Sequence, residues 1–115
     1  MAPLLIEFGM GTSLRRQDYT EAALRGLKDA LWHNSINLAE LFGKDKTDMR
    51  LCCVIGVQQP DKVDVSKLAD VFPYGQPTFH VEKGGLDIPR PDYEGGGRPT
   101  VIANVAIKVS LEGVS

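Results

Sequence analysis

No stretch of the sequence approaches the eighteen or so consecutive apolar residues that a membrane-crossing helix needs, so a transmembrane helix is excluded. The N-terminus lacks the charged region, the longer apolar run and the small-residue cleavage site of a secretory signal, and the expected location is cytoplasmic. Nor are basic residues massed. Thirteen Lys and Arg scattered among fifteen Asp and Glu leave a net charge of -2, with no stripe that could follow a phosphate backbone, which removes nucleic acid as a partner. Cysteine is scarce: Cys52 and Cys53 are neighbours in an apolar stretch, and strand alternation sends them to opposite faces, so no mutual disulfide is expected. They read as two buried thiols rather than a metal or redox pair. There is no internal repeat, no ligand spacing for zinc, and no cofactor is expected.

What is present is ordinary for a globular protein, with 43% apolar and 24% charged residues. A chain of 115 residues suffices for a single domain, 1–115, that buries roughly two thirds of its unfolded surface. Leu4, Leu5, Ile6 and Phe8 predict a buried strand, and Gly9-Met10-Gly11 a tight exit from it. Asp18 and Glu21 have capping-box spacing, and Tyr19, Ala23, Leu27, Ala30, Leu31 and Asn34 recur on one side of a helix over 18–34. A short helix is expected after Asn37, with Glu40 three residues on and Gly43 as its stop.

Arg50 to Val57 is dense in apolar and β-branched residues and predicts a strand buried on both faces. Val65, Leu68, Ala69 and Phe72 predict a second helix over 64–72, ended by Pro73. Thr78 to Lys83 alternates as a third strand, and Thr100 to Leu111 closes the chain as a long fourth. Between them, Gly84 to Pro99 has the glycine and proline content of a flap, a binding loop or disorder.

The expected fold class is therefore α+β, a two-layer sandwich of order β-α-β-α-β-β. Right-handed crossovers place both helices on one face of a four-stranded mixed sheet. The other face is left bare, with Leu5, Val54 and Ile102 beside Glu7, Asn104 and Lys108, and so large a partly apolar patch predicts an oligomer.

This connectivity resembles the fold of the Bacillus-type chorismate mutases and the YjgF-like proteins, which assemble as trimers with ligand clefts between subunits. More specific blocks, among them Glu7-Phe8-Gly9-Met10-Gly11, Gln17-Asp18, His33-Asn34-Ser35, Phe72-Pro73-Tyr74-Gly75 and Val81 to Leu86, resemble an uncharacterised Lin-type family of conserved hypothetical proteins across nearly the whole chain. The hallmark of that family is Gly-x-Gly-x-Asp-x-His-Gly. Here Ser13 replaces its Asp, Arg15 its His and Arg16 its final Gly, so both proton-transferring groups are gone.

Gly9 and Gly11 are not a dinucleotide fingerprint, because Leu14 stands where the third glycine belongs. Arg15 and Arg16 precede a helix N-terminus that already favours an anion, and with Gly9, Gly11 and Ser13 they form one candidate ligand loop; the alternative is solvated arginines that pair with an acidic partner surface. His33 suits a helix C-terminus as a cap, and His80 stands alone on a strand. On the bare face Glu7, Asn104 and Lys108 would pair as structural glue or line a cleft, with Glu7 and Lys108 the catalytic candidates and Asn104 a ligand contact.

The resemblance to the trimeric fold implies a small-molecule-binding oligomer, a trimer by preference, or an enzyme with sites between subunits. The ligand would be a small carboxylate or heterocyclic amide, and the chemistry that of a hydrolase or isomerase of a small cyclic substrate. The alternative is a non-catalytic structural or regulatory subunit paired with a paralogue that keeps the Asp and His.

Overall fold

β5 (Thr100–Leu111) is the spine of the sheet, its odd-numbered residues buried from Val101 to Leu111 and its even-numbered ones turned to the other face. Each of its edges is used differently. Along one, β1 (Leu5–Ser13) runs antiparallel throughout, from Leu5 opposite Val109 to Ser13 opposite Val101. Along the other lie two strands end to end: β2 (Met49–Val57), antiparallel as far as Gly56 opposite Asn104, and then β4 (Leu86–Ile88), with Leu86 opposite Ile102 and Ile88 opposite Thr100. β3 (Gln76–Lys83) adds in parallel to the outside of β2. The order β1-β5-β2-β3, with β4 on β5, makes a mixed sheet of five strands rather than the four expected. The computed structural model describes residues 3, 5–14, 16–32, 43, 48–72, 75–89 and 98–111.

The fifth strand lies within the glycine- and proline-rich loop, and its origin is geometric. β5 is twelve residues long and β2 nine, so the Thr100 end of β5 has an unpaired edge, and Leu86-Asp87-Ile88 takes it up.

α1 (Tyr19–Trp32) begins where expected: the Asp18 carboxylate accepts the Glu21 N–H at 3.0 Å. Glu21 pairs with Arg25 at 2.6 Å, one turn along, instead of completing the reciprocal box. The buried side of α1 consists largely of small residues, Ala22, Ala23, Gly26 and Ala30, with Tyr19 and Leu27. This composition lets the helix sit close to β1. A Cβ on Gly9 would come within 3.0 Å of Gly26 and Ala30 atoms, and one on Gly11 within 3.0 Å of Ala22, Arg25 and Gly26 backbone. Gly9-Met10-Gly11 is therefore strand interior and not the exit turn that the sequence suggested. The two glycines are contact surface for the helix.

The second helix is absent in the expected form. Two 3₁₀ turns, Val65–Lys67 and Ala69–Val71, take its place, and a third, Pro60–Lys62, precedes them. The Asp64 carboxylate accepts both the Ser66 N–H at 3.1 Å and its hydroxyl at 2.5 Å, a local bond that competes with helical pairing. These bonds hold the Asp64 carboxyl below its ordinary value, with the Ser66 hydroxyl the largest cause. Meanwhile the Asp64 N–H donates to Thr20 Oγ1 at 2.8 Å, tying the segment to the first turn of α1 and thus to the same side of the sheet.

β2 corrects a further expectation. Met49, Leu51, Cys53, Ile55 and Val57 are buried, but Arg50 and Cys52 are exposed and Val54 and Gly56 only half-buried, so one face is covered rather than two. The cysteines do point to opposite faces, yet only Cys53 is a buried thiol, pushed up to about 12 by desolvation. The expected short helix after Asn37 lies outside the described residues, as does His33. Among the described residues no helix is long and apolar enough to cross a membrane.

Candidate functional site

Two regions gather the polar groups singled out by the sequence. The first is the end of the sheet where β1 hands over to α1. Ser13, the last residue of β1, is buried, and its Oγ accepts the Asp18 N–H at 3.1 Å. Ser13, Leu14, Arg16, Glu21 and Arg25 line a cleft of about 410 Å³ there. Arg25 is already engaged, donating to the Thr12 carbonyl at 2.7 Å and to Glu21 at 2.6 Å, so among the described residues lining the cleft Arg16 is the guanidinium left to meet an anion. Arg98 joins the same end by donating to the Arg16 carbonyl at 3.2 Å. Arg15 lies outside the described residues. Gly9 and Gly11, placed in this ligand loop by the sequence, are instead covered by α1.

At the same end of the sheet is a network that no sequence signal announced. The phenol of Tyr19 is buried; its oxygen accepts from Gln17 Nε2 at 3.2 Å and Gln59 Nε2 at 3.0 Å, and its O–H donates to Asp87 Oδ2. Burial first, then the bond to Asp87, raises the phenol above its ordinary value. Gln17 reaches this position from φ 49, a left-handed conformation uncommon outside glycine. The second carboxylate oxygen of Asp87 is buried without a partner among the described residues. Gln17 and Tyr19 are near neighbours, but Gln59 and Asp87 are 40 and 68 residues from Tyr19, and only the topology brings them to it.

The second region is the uncovered face of the sheet. Asn104 and Lys108 are there, both exposed, as the alternation of β5 dictates. Glu7 and Leu5 are not. Leu5 pairs with Val109 and Glu7 with Ile107, both core positions, so these two residues face the helix layer and Glu7 retains 9% of its exposure. The parity of β1 is set by its glycines: only with Gly9 and Gly11 inward can α1 approach. The outward set is then Ile6, Phe8 and Met10, exposed by 43%, 70% and 54%. Glu7 and Lys108 are thus on opposite sides of the sheet and do not share a catalytic pocket.

The position of Glu7 has a measurable consequence. Burial raises its carboxyl above the ordinary 4.5, so the folded protein binds that proton more tightly than the unfolded chain does. Stability from the neutral carboxyl is full below about pH 4.5 and is lost as pH rises through the raised value. Denaturant titrations across this range should show that loss in the parent and a flatter profile in Glu7→Gln.

On the uncovered face a hollow of about 270 Å³ opens among Phe8, Val54, Gly56, Glu82, Asn104 and Ala106. At its margin His80 and Glu82 approach to 3.6 Å on β3, and Leu86 and Ile88 stand exposed on β4. Among the described residues no three His, Cys, Asp or Glu are grouped to hold a metal ion.

No curated protein matches the chain. Among solved structures it is similar to that of an FtsZ-like protein of unknown function from Nostoc punctiforme, at 30% identity and a TM-score of 0.85, covering 98% of this chain and 99% of that one. The sequence pattern of the conserved hypothetical proteins called the Lin0512 family matches residues 3–109, more than nine tenths of the length, and the chain belongs to that family.

Proposed function

We propose that this protein is a self-associating small-molecule-binding subunit, with a chorismate mutase-like topology and three copies as the favoured assembly. A small carboxylate or heterocyclic amide is held where copies meet. The observation that carries this reading is the uncovered face: Phe8 is 70% exposed, Met10 and Leu86 more than half, and Ile6 and Ile88 43% each, on one side of one sheet. Apolar groups so concentrated are stabilised by removal from water, at about 25 cal/mol per Å². Asn104 and Lys108 stand among them, and a ligand bearing oxygen acceptors would satisfy both once the face is covered. Arg16, at the Ser13 cleft, supplies a separate anion contact.

Sedimentation equilibrium of the parent and of Phe8→Glu tests the assembly. Self-association at micromolar concentration is expected in the parent, weakened at least tenfold in the variant; a monomeric parent overturns the reading. For the ligand, thermal shifts with benzoate and with uracil as probes should be reduced by Asn104→Ala or Lys108→Ala.

A second reading is favoured by Ser13. Where the family motif has an Asp, this hydroxyl is buried and caps the Asp18 N–H, a structural task with no role in proton transfer. A non-catalytic subunit assembled with a paralogue that keeps the Asp and His fits that substitution. Copurification of a tagged chain with such a relative would distinguish the two.

A further inference from the structure

The strand register places the uncovered face on a grid. Across the sheet from β1 to β3, one row reads Phe8, Ala106, Val54, His80, and the next Met10, Asn104, Gly56, Glu82. The row on the other side reads Ile6, Lys108, Cys52, Thr78. Bulk is therefore concentrated along β1, where Ile6, Phe8 and Met10 form a ridge. Beside it Ala106, Val54 and Gly56 make a trough, and at its end lies the 270 Å³ hollow. Farther out, His80 and Glu82 form a polar rim.

Resting on the self-association proposed above, we infer that the ridge of one copy lies in the trough of the next, so that the partner's Phe8 closes the hollow over Gly56 and Asn104. Two identical faces pressed ridge to ridge would hold their troughs apart and leave them empty. Displaced so that ridge meets trough, they interdigitate at the spacing of packed sheets, roughly 10 Å. The contact joins different patches, so it can be repeated around a closed ring or made reciprocally in a pair, and either arrangement hides every ridge. The available area is adequate: four strands about 4.8 Å apart and nine residues at about 3.3 Å give a face of roughly 600 Å² per copy in projection, and two such faces reach the low end of specific interfaces. The polar rim of β3 falls at the margin, where water can still reach it. In this arrangement the hollow acquires an aromatic roof from the second chain, opposite the Asn104 amide, and a single copy holds only half of the site.

Photo-crosslinking tests the arrangement directly. The full chain carrying Phe8→p-benzoyl-phenylalanine is mixed with isotope-labelled parent and irradiated, and the cross-linked peptides are sequenced. Crosslinks between labelled and unlabelled chains are expected at residues 54–56 and 104–106. In an assembled protein, intermolecular crosslinks that fall elsewhere overturn the inference and leave self-association standing. A monomeric parent instead overturns the reading on which it rests. Ala106→Phe is the second arm: filling the trough on an open face leaves the monomer folded by circular dichroism, and should weaken association at least tenfold. Unchanged association in that variant also overturns the inference.

Discussion

Gly11→Ala is expected to destabilise the protein by about 3–5 kcal/mol, at the severe end for one added methyl group. The added Cβ points at backbone: Ala22, Arg25 and Gly26 atoms of α1 all lie within 3.0 Å of its position. A side chain in the way could rotate, whereas the backbone of a hydrogen-bonded helix can yield only by moving as a body. That movement would loosen Ala22, Ala23 and Leu27 from β1 and β5 together. Gly26→Ala provides the contrast. Its Cβ meets the Val105 Cγ2 atom at 2.6 Å, a side-chain methyl, and alanine gains about 1 kcal/mol of helix propensity over glycine. Chemical denaturation should therefore rank Gly11→Ala well below Gly26→Ala in stability. Equal losses would show that the helix is free to shift on the sheet.

The same glycines explain what could and could not be foreseen from the sequence. β5 was legible to the residue because, over the twelve positions from Thr100 to Leu111, every odd one is apolar and all the even ones but Ile102 are small or polar, more than any local preference can mask. α1 was legible from its Asp18 cap and apolar period. β1 was misleading: of its apolar residues Ile6, Phe8 and Met10 face outward, while Leu5 faces the helix layer with Glu7, Gly9, Gly11 and Ser13. Hydrophobicity and burial are out of phase there because helix contact requires glycine on the inner side. Its reversed parity is also what moved Glu7 away from Lys108 and supplied the exposed ridge. The 3₁₀ turns escaped notice because Val65, Leu68, Ala69 and Phe72 have helical spacing over too few residues for period to prevail against the Asp64 side chain. β4 escaped because three residues in a glycine- and proline-rich loop carry no pattern; only the unpaired end of β5 defines their place.

Of the candidate site, Asn104, Lys108 and Ser13 were recognisable by type and position, but the Tyr19 network was not, since Gln59 and Asp87 reach the phenol only once the chain has folded and β4 has docked. Tyr19→Phe should measure that docking. Removing the phenol oxygen leaves both glutamine amides and Asp87 Oδ2 without their partner, in a site where Asp87 Oδ1 already has none among the described residues. At about 1–3 kcal/mol for each buried group left unsatisfied, with water reaching part of the site, the expected loss is about 2–4 kcal/mol. The loss should also be local. Hydrogen exchange at Leu86 to Ile88 and at Thr100 to Ile102 should accelerate more than at β1 or β2, because Tyr19–Asp87 joins α1 to β4, whose residues pair with that end of β5. Asp87→Asn provides the complementary variant: it keeps an oxygen for the Tyr19 hydroxyl but brings an N–H₂ to a buried position where the carboxylate has an unfilled acceptor. If the amide finds an acceptor there, Asp87→Asn will be milder than Tyr19→Phe, and β4 will keep its exchange protection. If both variants exchange as the parent does, the Tyr19 network does not anchor β4, and pairing with β5 alone is sufficient.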